Sequence, residues 1–133
     1  MHLDLVTLIV EDYDQAVQFY VGVLGFNLVE DSPAQTAGGR PKRWVVVRPA
    51  GAQTGFVLAR ADGPEQEAVL GNQAGGRVAF FLRVDDVDET YARLLSEGVR
   101  IIGEPRSEPY GRVAVFLDLV GNRWDLLDSR KPR

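Results

Sequence analysis

The sequence contains no cysteine and a single histidine, His2. The lack of cysteine excludes disulfide bonds, thiolate catalysis and cysteine metal sites. Because His2 is the second residue of the chain, where residues are commonly frayed, we do not expect it to bind a metal. A Ser-His-Asp catalytic triad would have to use this same histidine, and is therefore not expected either.

Positive charge and long apolar runs are also scarce. Lysine and arginine number 15 against 19 aspartate and glutamate, which gives a formal net charge of −4. An acidic chain argues against a nucleic-acid partner, since such partners favour a basic surface. No apolar run approaches the ~20 residues that cross a bilayer. The first residues lack the basic region and apolar core of a signal peptide. We therefore expect no nucleic-acid or membrane partner and a cytoplasmic location.

One pattern occurs twice in the chain. VTLIVEDYDQAVQFY covers residues 6–20, and FFLRVDDVDETYARL covers residues 80–94. Aligning Asp12 with Asp86 gives an offset of 86 − 12 = 74, and apolar positions and acidic positions then coincide. Apolar residues at alternate positions predict a strand before each aspartate, and helical spacing predicts a helix after it.

Each copy predicts the element order βαβββ. In the first copy, Asp12 or Asp14 suits a helix N-cap because a carboxylate accepts the free N–H groups of the first turn. Gly25 suits the helix C-terminus. Three strands are predicted in residues 26–31, 43–49 and 54–61. In the second copy, a strand over 77–84 and a helix over 87–98 precede strands at 99–105, 112–119 and 123–128.

These elements predict the α+β class with two βαβββ modules in tandem. The modules are residues 1–61 and 77–133, and the polar segment 62–76 is a linker with one short helical turn. A four-stranded sheet with one helix leaves its second face uncovered, so we expect two curled mixed sheets around a cup-shaped cavity. For the third strand of each module, both alternations are apolar, and the sequence leaves open which one faces the cavity.

The repeated segments also resemble a known family. VTLIVEDYDQAVQFYVGVLGF resembles the opening of the vicinal oxygen chelate superfamily, and VDDVDETYARLLSEGV, EPYG and DLVGNRWDLLD resemble its second module. That superfamily includes glyoxalases, extradiol dioxygenases, fosfomycin-resistance enzymes and bleomycin-binding proteins. The resemblance covers about Leu3 to Asp128 and implies a cup that is often completed in a dimer. We therefore expect a homodimer.

The resemblance places the four metal-ligand positions of the superfamily at Leu5, Val57, Ala79 and Asp125. Only Asp125 carries a ligand atom, whereas a divalent ion requires three or more nitrogen or oxygen ligands. We therefore expect no metal and no other cofactor. Glyoxalase and dioxygenase activities that depend on the ion are not expected.

Asp125 is the main candidate for chemistry. As a lone carboxylate in an apolar cavity it could act as a general acid or base, or anchor a cationic ligand. The alternative is a structural acid that pairs with Arg123, two residues earlier on the same strand face. Arg43 and Arg112 begin equivalent strands and are interpreted as surface charges. Strand aromatics such as Trp44 and Trp124 are more typical of a core.

The predicted ligand-binding residues share the cavity-facing side or the cavity ends. Phe81 shares the parity of Ala79, Arg83 lies towards the mouth, and Tyr110 lies towards the other end. The full set is Leu5, Val57, Ala79, Phe81, Arg83, Tyr110, Arg123 and Asp125. Three functions are compatible with it: metal-free binding of a small organic molecule in an apolar cavity, a lyase or isomerase that uses Asp125 as acid or base, and a structural or regulatory dimer without a ligand.

Overall fold

The computed structural model describes residues 1–35, 37–39 and 41–129. The chain divides into two compact units, Met1–Leu70 (unit 1) and Gly71–Arg133 (unit 2). In the described residues, no helix is long and apolar enough to cross a membrane.

Unit 1 contains one four-stranded mixed sheet. Its order is β1-β4-β3-β2, with β1 and β4 parallel and the other pairs antiparallel. The elements are β1 (Leu5–Val10), α1 (Tyr13–Val17), a π-helical continuation (Gln18–Val23), β2 (Asn27–Gln35), β3 (Pro41–Arg48), β4 (Gly55–Arg60) and α2 (Pro64–Glu67).

Unit 2 has the same topology. Its sheet order is β5-β8-β7-β6, with β5 and β8 parallel. The elements are β5 (Val78–Arg83), α3 (Val87–Ser96), β6 (Ile101–Glu108), β7 (Gly111–Leu117) and β8 (Arg123–Asp128). The predicted α+β class, with two βαβββ modules in tandem and mixed sheets, is confirmed.

The helix ends follow the sequence signals. The Asp12 carboxylate accepts the Gln15 N–H at 2.8 Å, and the Asp86 carboxylate accepts the Glu89 N–H at 3.0 Å. Of the two candidate caps in the first copy, Asp12 is therefore the N-cap. Gly25 follows the first helix with a φ of 82°, a left-handed conformation that glycine adopts without a Cβ penalty.

The first helix differs from its prediction in its second half. From Gln18 onward it widens into a π-helix, and the Leu24 N–H bonds to the Phe19 carbonyl five residues earlier. Tyr20 in this segment is fully buried, with its ring centroid 5.7 Å from that of Phe26 and 6.4 Å from that of Phe56. The π-helical segment therefore contributes an aromatic residue to the core of unit 1.

Each sheet has one face against its helix, and we call the side away from the helix the second face. Tyr20 contacts Phe56, which stands opposite Val47, so these strand residues lie on the helix side. Because strand side chains alternate, Val46 and its partner Val57 lie on the second face. The register thus determines the alternation that the sequence leaves open.

In unit 2 the buried ring of Trp124 defines the helix side. Its centroid lies 4.7 Å from that of Phe80 and 5.6 Å from that of Phe116. Asp128 shares this side, because its carboxylate accepts the Val87 N–H at the start of α3 at 2.7 Å. By alternation, Asp125 lies on the second face of this sheet.

Candidate functional site

The second face of unit 2 is centred on Asp125 of β8. In the register, Asp125 lies opposite Phe81 of β5 on one side and Val115 of β7 on the other. Asp125 is only 8% exposed, whereas Phe81 is 64% exposed. The arrangement places a nearly buried carboxylate beside a large, accessible aromatic ring.

The carboxylate of Asp125 does not have a hydrogen bond to each of its oxygens in the described residues. Its Oδ1 atom is buried and has no hydrogen-bond partner among the described residues. Burial raises the pKa of Asp125 above its ordinary value, and the positive charge of Arg106 partly opposes that rise. Arg106 itself bonds to Glu108 at 2.8 Å. A carboxyl group in this environment accepts a proton, or a hydrogen bond from a ligand, more readily than an exposed aspartate does.

The alternative pairing of Asp125 with Arg123 is not among the ion pairs of the described residues. Arg123 is exposed and lies opposite Val78 on β5 and Leu117 on β7. Both Arg123 and Asp125 lie on the second face by alternation, yet no described residue, Arg123 included, bonds to Oδ1 of Asp125.

The other predicted site residues of unit 2 differ in their exposure and in their contacts. Arg83, two residues beyond Phe81 on β5, donates to Ser129 Oγ at 3.0 Å. Tyr110 is 64% exposed in the turn between β6 and β7. Ala79 is partly exposed and lies at an irregularity of the β5–β8 ladder between Val78 and Phe80.

The remaining two predicted residues, Leu5 and Val57, belong to unit 1. Leu5 lies opposite Gly55, and Val57 lies opposite Thr7. Val57 lines a cleft of about 340 Å³ at one end of the sheet, whereas Leu5 does not. The remaining wall of this cleft includes Lys42, Trp44 and Arg60, none of which is in the predicted ligand-binding set.

Trp44 is 40% exposed, unlike the buried Trp124. The periodicity of β3 cannot show this, because RWVVVR is apolar on both alternations. Aligning Arg43 with Arg112 sets Trp44 on the fully buried Val113 of unit 2, so the larger size of Trp44 is the sequence signal that the two copies differ here.

The residues at the four metal-ligand positions that the resemblance predicts do not fit a divalent ion. Leu5, Val57 and Ala79 present only hydrocarbon side chains, and Asp125 alone supplies oxygen. In the described part of the chain, no three His, Cys, Asp or Glu side chains lie close enough to share a metal.

Two arginines interpreted as surface charges have a structural role. Arg43 bonds to Asp14 at 2.8 Å, and Arg112 bonds to Asp88 through two contacts of 2.9 and 3.0 Å. The two aspartates differ by the repeat offset, since 88 − 14 = 74. Each arginine therefore ties the third strand of its module to the first turn of the helix.

The family model that describes the glyoxalase, bleomycin resistance protein and dioxygenase superfamily matches residues 2–126 of the chain. An uncharacterized protein of Shewanella frigidimarina (strain NCIMB 400) is 48% identical over 123 residues, which are 92% of this chain and 89% of that protein.

Two solved structures are similar in both sequence and fold. TnmS3, an antibiotic binding protein from Streptomyces sp. CB03234, is 35% identical with a TM-score of 0.77, covering 98% of this chain and 97% of that one. A glyoxalase/bleomycin resistance protein from the same strain is 36% identical with a TM-score of 0.70, covering 95% and 99%.

Proposed function

The chain belongs to the glyoxalase/bleomycin resistance protein/dioxygenase superfamily, and from that premise we propose that it binds a small organic molecule on an apolar surface without a metal. The proposed contact surface is the second face of unit 2, with Phe81 and Asp125 at its centre. Ala79, Arg83, Tyr110 and Arg123 are proposed to extend it, and Leu5 and Val57 are the corresponding positions of unit 1.

The observation that carries the proposal is the buried Oδ1 atom of Asp125, which has no hydrogen-bond partner in the part of the chain that the structure describes. Buried polar atoms in folded proteins are nearly always hydrogen-bonded, so an exception calls for an explanation. A ligand with an O–H or N–H group would satisfy this oxygen while its apolar part contacts the exposed ring of Phe81. Small-molecule sites typically combine apolar surface with a few polar groups that orient the ligand. Phe81 supplies the apolar surface here, and Asp125 supplies the polar group.

The relatives support the same function. TnmS3 is described as an antibiotic binding protein, and its similarity extends over nearly the whole of this chain. Binding without turnover requires no metal, in agreement with the hydrocarbon side chains at three of the four ligand positions.

A thermal-shift screen of small aromatic and apolar compounds tests the proposal. A ligand at one hundred times its Kd stabilises the folded chain by about 2.7 kcal/mol, which is readily measured. Phe81→Ala is expected to abolish the shift. Leu95→Ala is the matched control, because Leu95 is 54% exposed on α3 and lies outside the site. If Phe81→Ala and Leu95→Ala responded equally to every stabilising compound, the second face of unit 2 would not be the binding surface.

The raised pKa of Asp125 favours a second candidate, an acid–base enzyme of the lyase or isomerase type. A carboxyl group whose pKa lies closer to neutrality transfers protons more effectively near neutral pH. Asp125→Asn should then preserve ligand binding but abolish solvent deuterium exchange into the bound compound. Recovery of the compound unlabelled and unchanged from the wild-type protein would exclude this role.

A cytoplasmic location remains a prediction from the sequence. We also propose that the chain forms a homodimer. Leu28, Val29 and Ile102 are exposed apolar side chains on β2 and β6, which are edge strands of the two sheets. Exposed edge strands and apolar surface are commonly covered by a second copy. If no compound binds, such a dimer without a ligand is the remaining function.

A further inference from the structure

The cleft of unit 1 arises where β3 and β4 stop pairing. Their ladder contains three residue pairs and ends at Val45 opposite Leu58. The equivalent ladder of unit 2, between β7 and β8, contains six pairs and continues to Arg112 opposite Asp128. Unit 1 therefore lacks the last two pairs at this end, and residues 41–44 of β3 have no partners on β4.

The first cause of this separation is visible in the sequence of β3. Lys42 precedes Arg43 as Gly111 precedes Arg112. In unit 2, β7 approaches β8 so closely that a Cβ at Gly111 would overlap the carbonyl oxygen of Asp128. Lysine carries that Cβ, so β3 cannot approach the end of β4 in the same way.

The second cause is a reversal of charge on β4. Arg60 follows Leu58 by two residues, as Asp128 follows Leu126. In unit 2 the carboxylate of Asp128 lies on the same side as Arg112 and accepts the first N–H of α3. In unit 1 an arginine takes this place, and two guanidinium groups lie about 5 Å from the centre of one ring. The Cζ atoms of Arg43 and Arg60 are 5.2 and 5.3 Å from the centroid of Tyr13.

The charges of the cleft are unequally compensated. Arg43 is paired with Asp14 at 2.8 Å and with Asp31 at 2.6 Å. Lys42 and Arg60 also line the cleft but form no ion pair with a described residue. One carboxylate, Asp62, lies in the same wall. Three cationic side chains, Lys42, Arg43 and Arg60, therefore line the cleft against one carboxylate, since the two aspartates that bind Arg43 are not part of its wall.

The cleft also offers apolar and hydrogen-bonding surface. Trp44 is 40% exposed, and Val57 and Ala59 line the cleft beside it. Thr7 and Gln66 supply a hydroxyl and an amide group. The volume of about 340 Å³ lies at the lower end of the range for small-molecule sites.

We propose that this cleft of unit 1 is a binding site for a small aromatic anion, with an aromatic carboxylate as the simplest example. The ring contacts Trp44 and Val57, and the carboxylate interacts with Arg60 and Lys42. Guanidinium groups bind planar carboxylates well because two parallel N–H groups can bond to both oxygens. This site does not depend on the proposed role of Asp125.

The probe is 2-naphthoate, with 2-naphthalenemethanol as its neutral analogue, and binding is followed by tryptophan fluorescence and by calorimetry. Because Trp124 is buried, quenching reports mainly on Trp44. We expect saturable binding of the anion and at least tenfold weaker binding of the alcohol.

Arg60→Asp restores the carboxylate that unit 2 has at this position, where Asp128 accepts the Val87 N–H at the start of α3. The variant should therefore fold, and it should bind 2-naphthoate at least tenfold more weakly. Lys42→Gly should weaken binding as well, whereas Arg77→Ala, at an exposed arginine outside the cleft, should leave the affinity unchanged.

Three results would overturn the proposal: equal affinity for acid and alcohol, unchanged affinity in Arg60→Asp, or an equal loss in Arg77→Ala. Asp125→Asn separates this site from the function proposed above. If the naphthoate affinity falls in Asp125→Asn and not in Arg60→Asp, the anion binds at the second face of unit 2, and the cleft is refuted as its site. If it falls only in Arg60→Asp, the cleft is supported whatever the screen at Phe81 finds.

Discussion

Replacing Asp125 with valine should stabilise the protein without ligand. Unit 1 has a valine, Val57, at the position that corresponds to Asp125, so the substitution gives both sheets the same residue there. Asp125 is 8% exposed, and one of its oxygens has no hydrogen-bond partner in residues 1–35, 37–39 and 41–129. Leaving a buried polar group unsatisfied costs about 1–3 kcal/mol. We therefore expect Asp125→Val to raise the free energy of unfolding by roughly 1–3 kcal/mol near neutral pH.

The gain should depend on pH in a defined direction. Burial raises the pKa of Asp125 in the folded chain above the 3.8 of an ordinary aspartate. Between those two pKa values the folded state binds more protons than the unfolded state, so the wild type loses stability as the pH rises. Above the folded pKa the whole penalty is present, and at acid pH it disappears. The stability difference between Asp125→Val and the wild type should therefore grow with pH.

Thermal unfolding followed by circular dichroism from about pH 4 to about pH 8 measures this difference, because contributions from other carboxylates cancel between the two proteins. For a chain of this size, 1 kcal/mol corresponds to about 4 °C in Tm. Asp85→Val is the control, since Asp85 is exposed in the loop before α3. A lower Tm for Asp125→Val at neutral pH, or a difference independent of pH, would show that the carboxylate is satisfied and would refute the reasoning.

Three further predictions concern the whole chain. Because only Asp125 among the four superfamily positions carries a ligand atom, elemental analysis after dialysis against metal-free buffer should find no stoichiometric zinc, nickel, iron or manganese; about one ion per chain would show that the ligand positions are assigned wrongly. Light scattering at micromolar concentration should give the mass of a homodimer, whose interface is expected to bury at least ~1,000 Å². The mass of one chain, 14.7 kDa, would contradict this prediction. Asp118→Ala should lower the free energy of unfolding by about 3 kcal/mol, because Asp118 is buried and accepts bonds from Asn122 Nδ2 and Trp124 Nε1, whose buried donors would lose their partner; an unchanged denaturation midpoint would argue against this network.

The prediction for Asp118 also shows how local chemistry can be inferred from sequence. The segment DLVGN indicates a turn, and the Asp118 carboxylate does accept the N–H groups of Val120, Gly121 and Asn122. Such contacts span two to four residues, so the residues that make them are close together in the chain. The same holds for the cap at Asp12 and the glycine after the first helix.

Sequence alone therefore determined the element order, the two βαβββ modules and most helix ends, because periodicity and capping act over a few neighbouring residues. The π-helical widening after Gln18 was not predicted, because it carries no comparable local signal. Sequence also singled out Asp125, through the resemblance to the superfamily.

Only the tertiary structure decided what surrounds each candidate. The oxygen of Asp125 without a described hydrogen-bond partner depends on strands that bring Phe81 and Val115 beside it. The sequence alone favoured a structural acid paired with Arg123. From the sequence, Arg60 is an ordinary strand-end charge. Only the fold brings it, like Arg43, to the ring of Tyr13, at the position where unit 2 has a carboxylate. Desolvation and charge pairing depend on distances between residues far apart in the chain, and those distances exist only once the strands are paired.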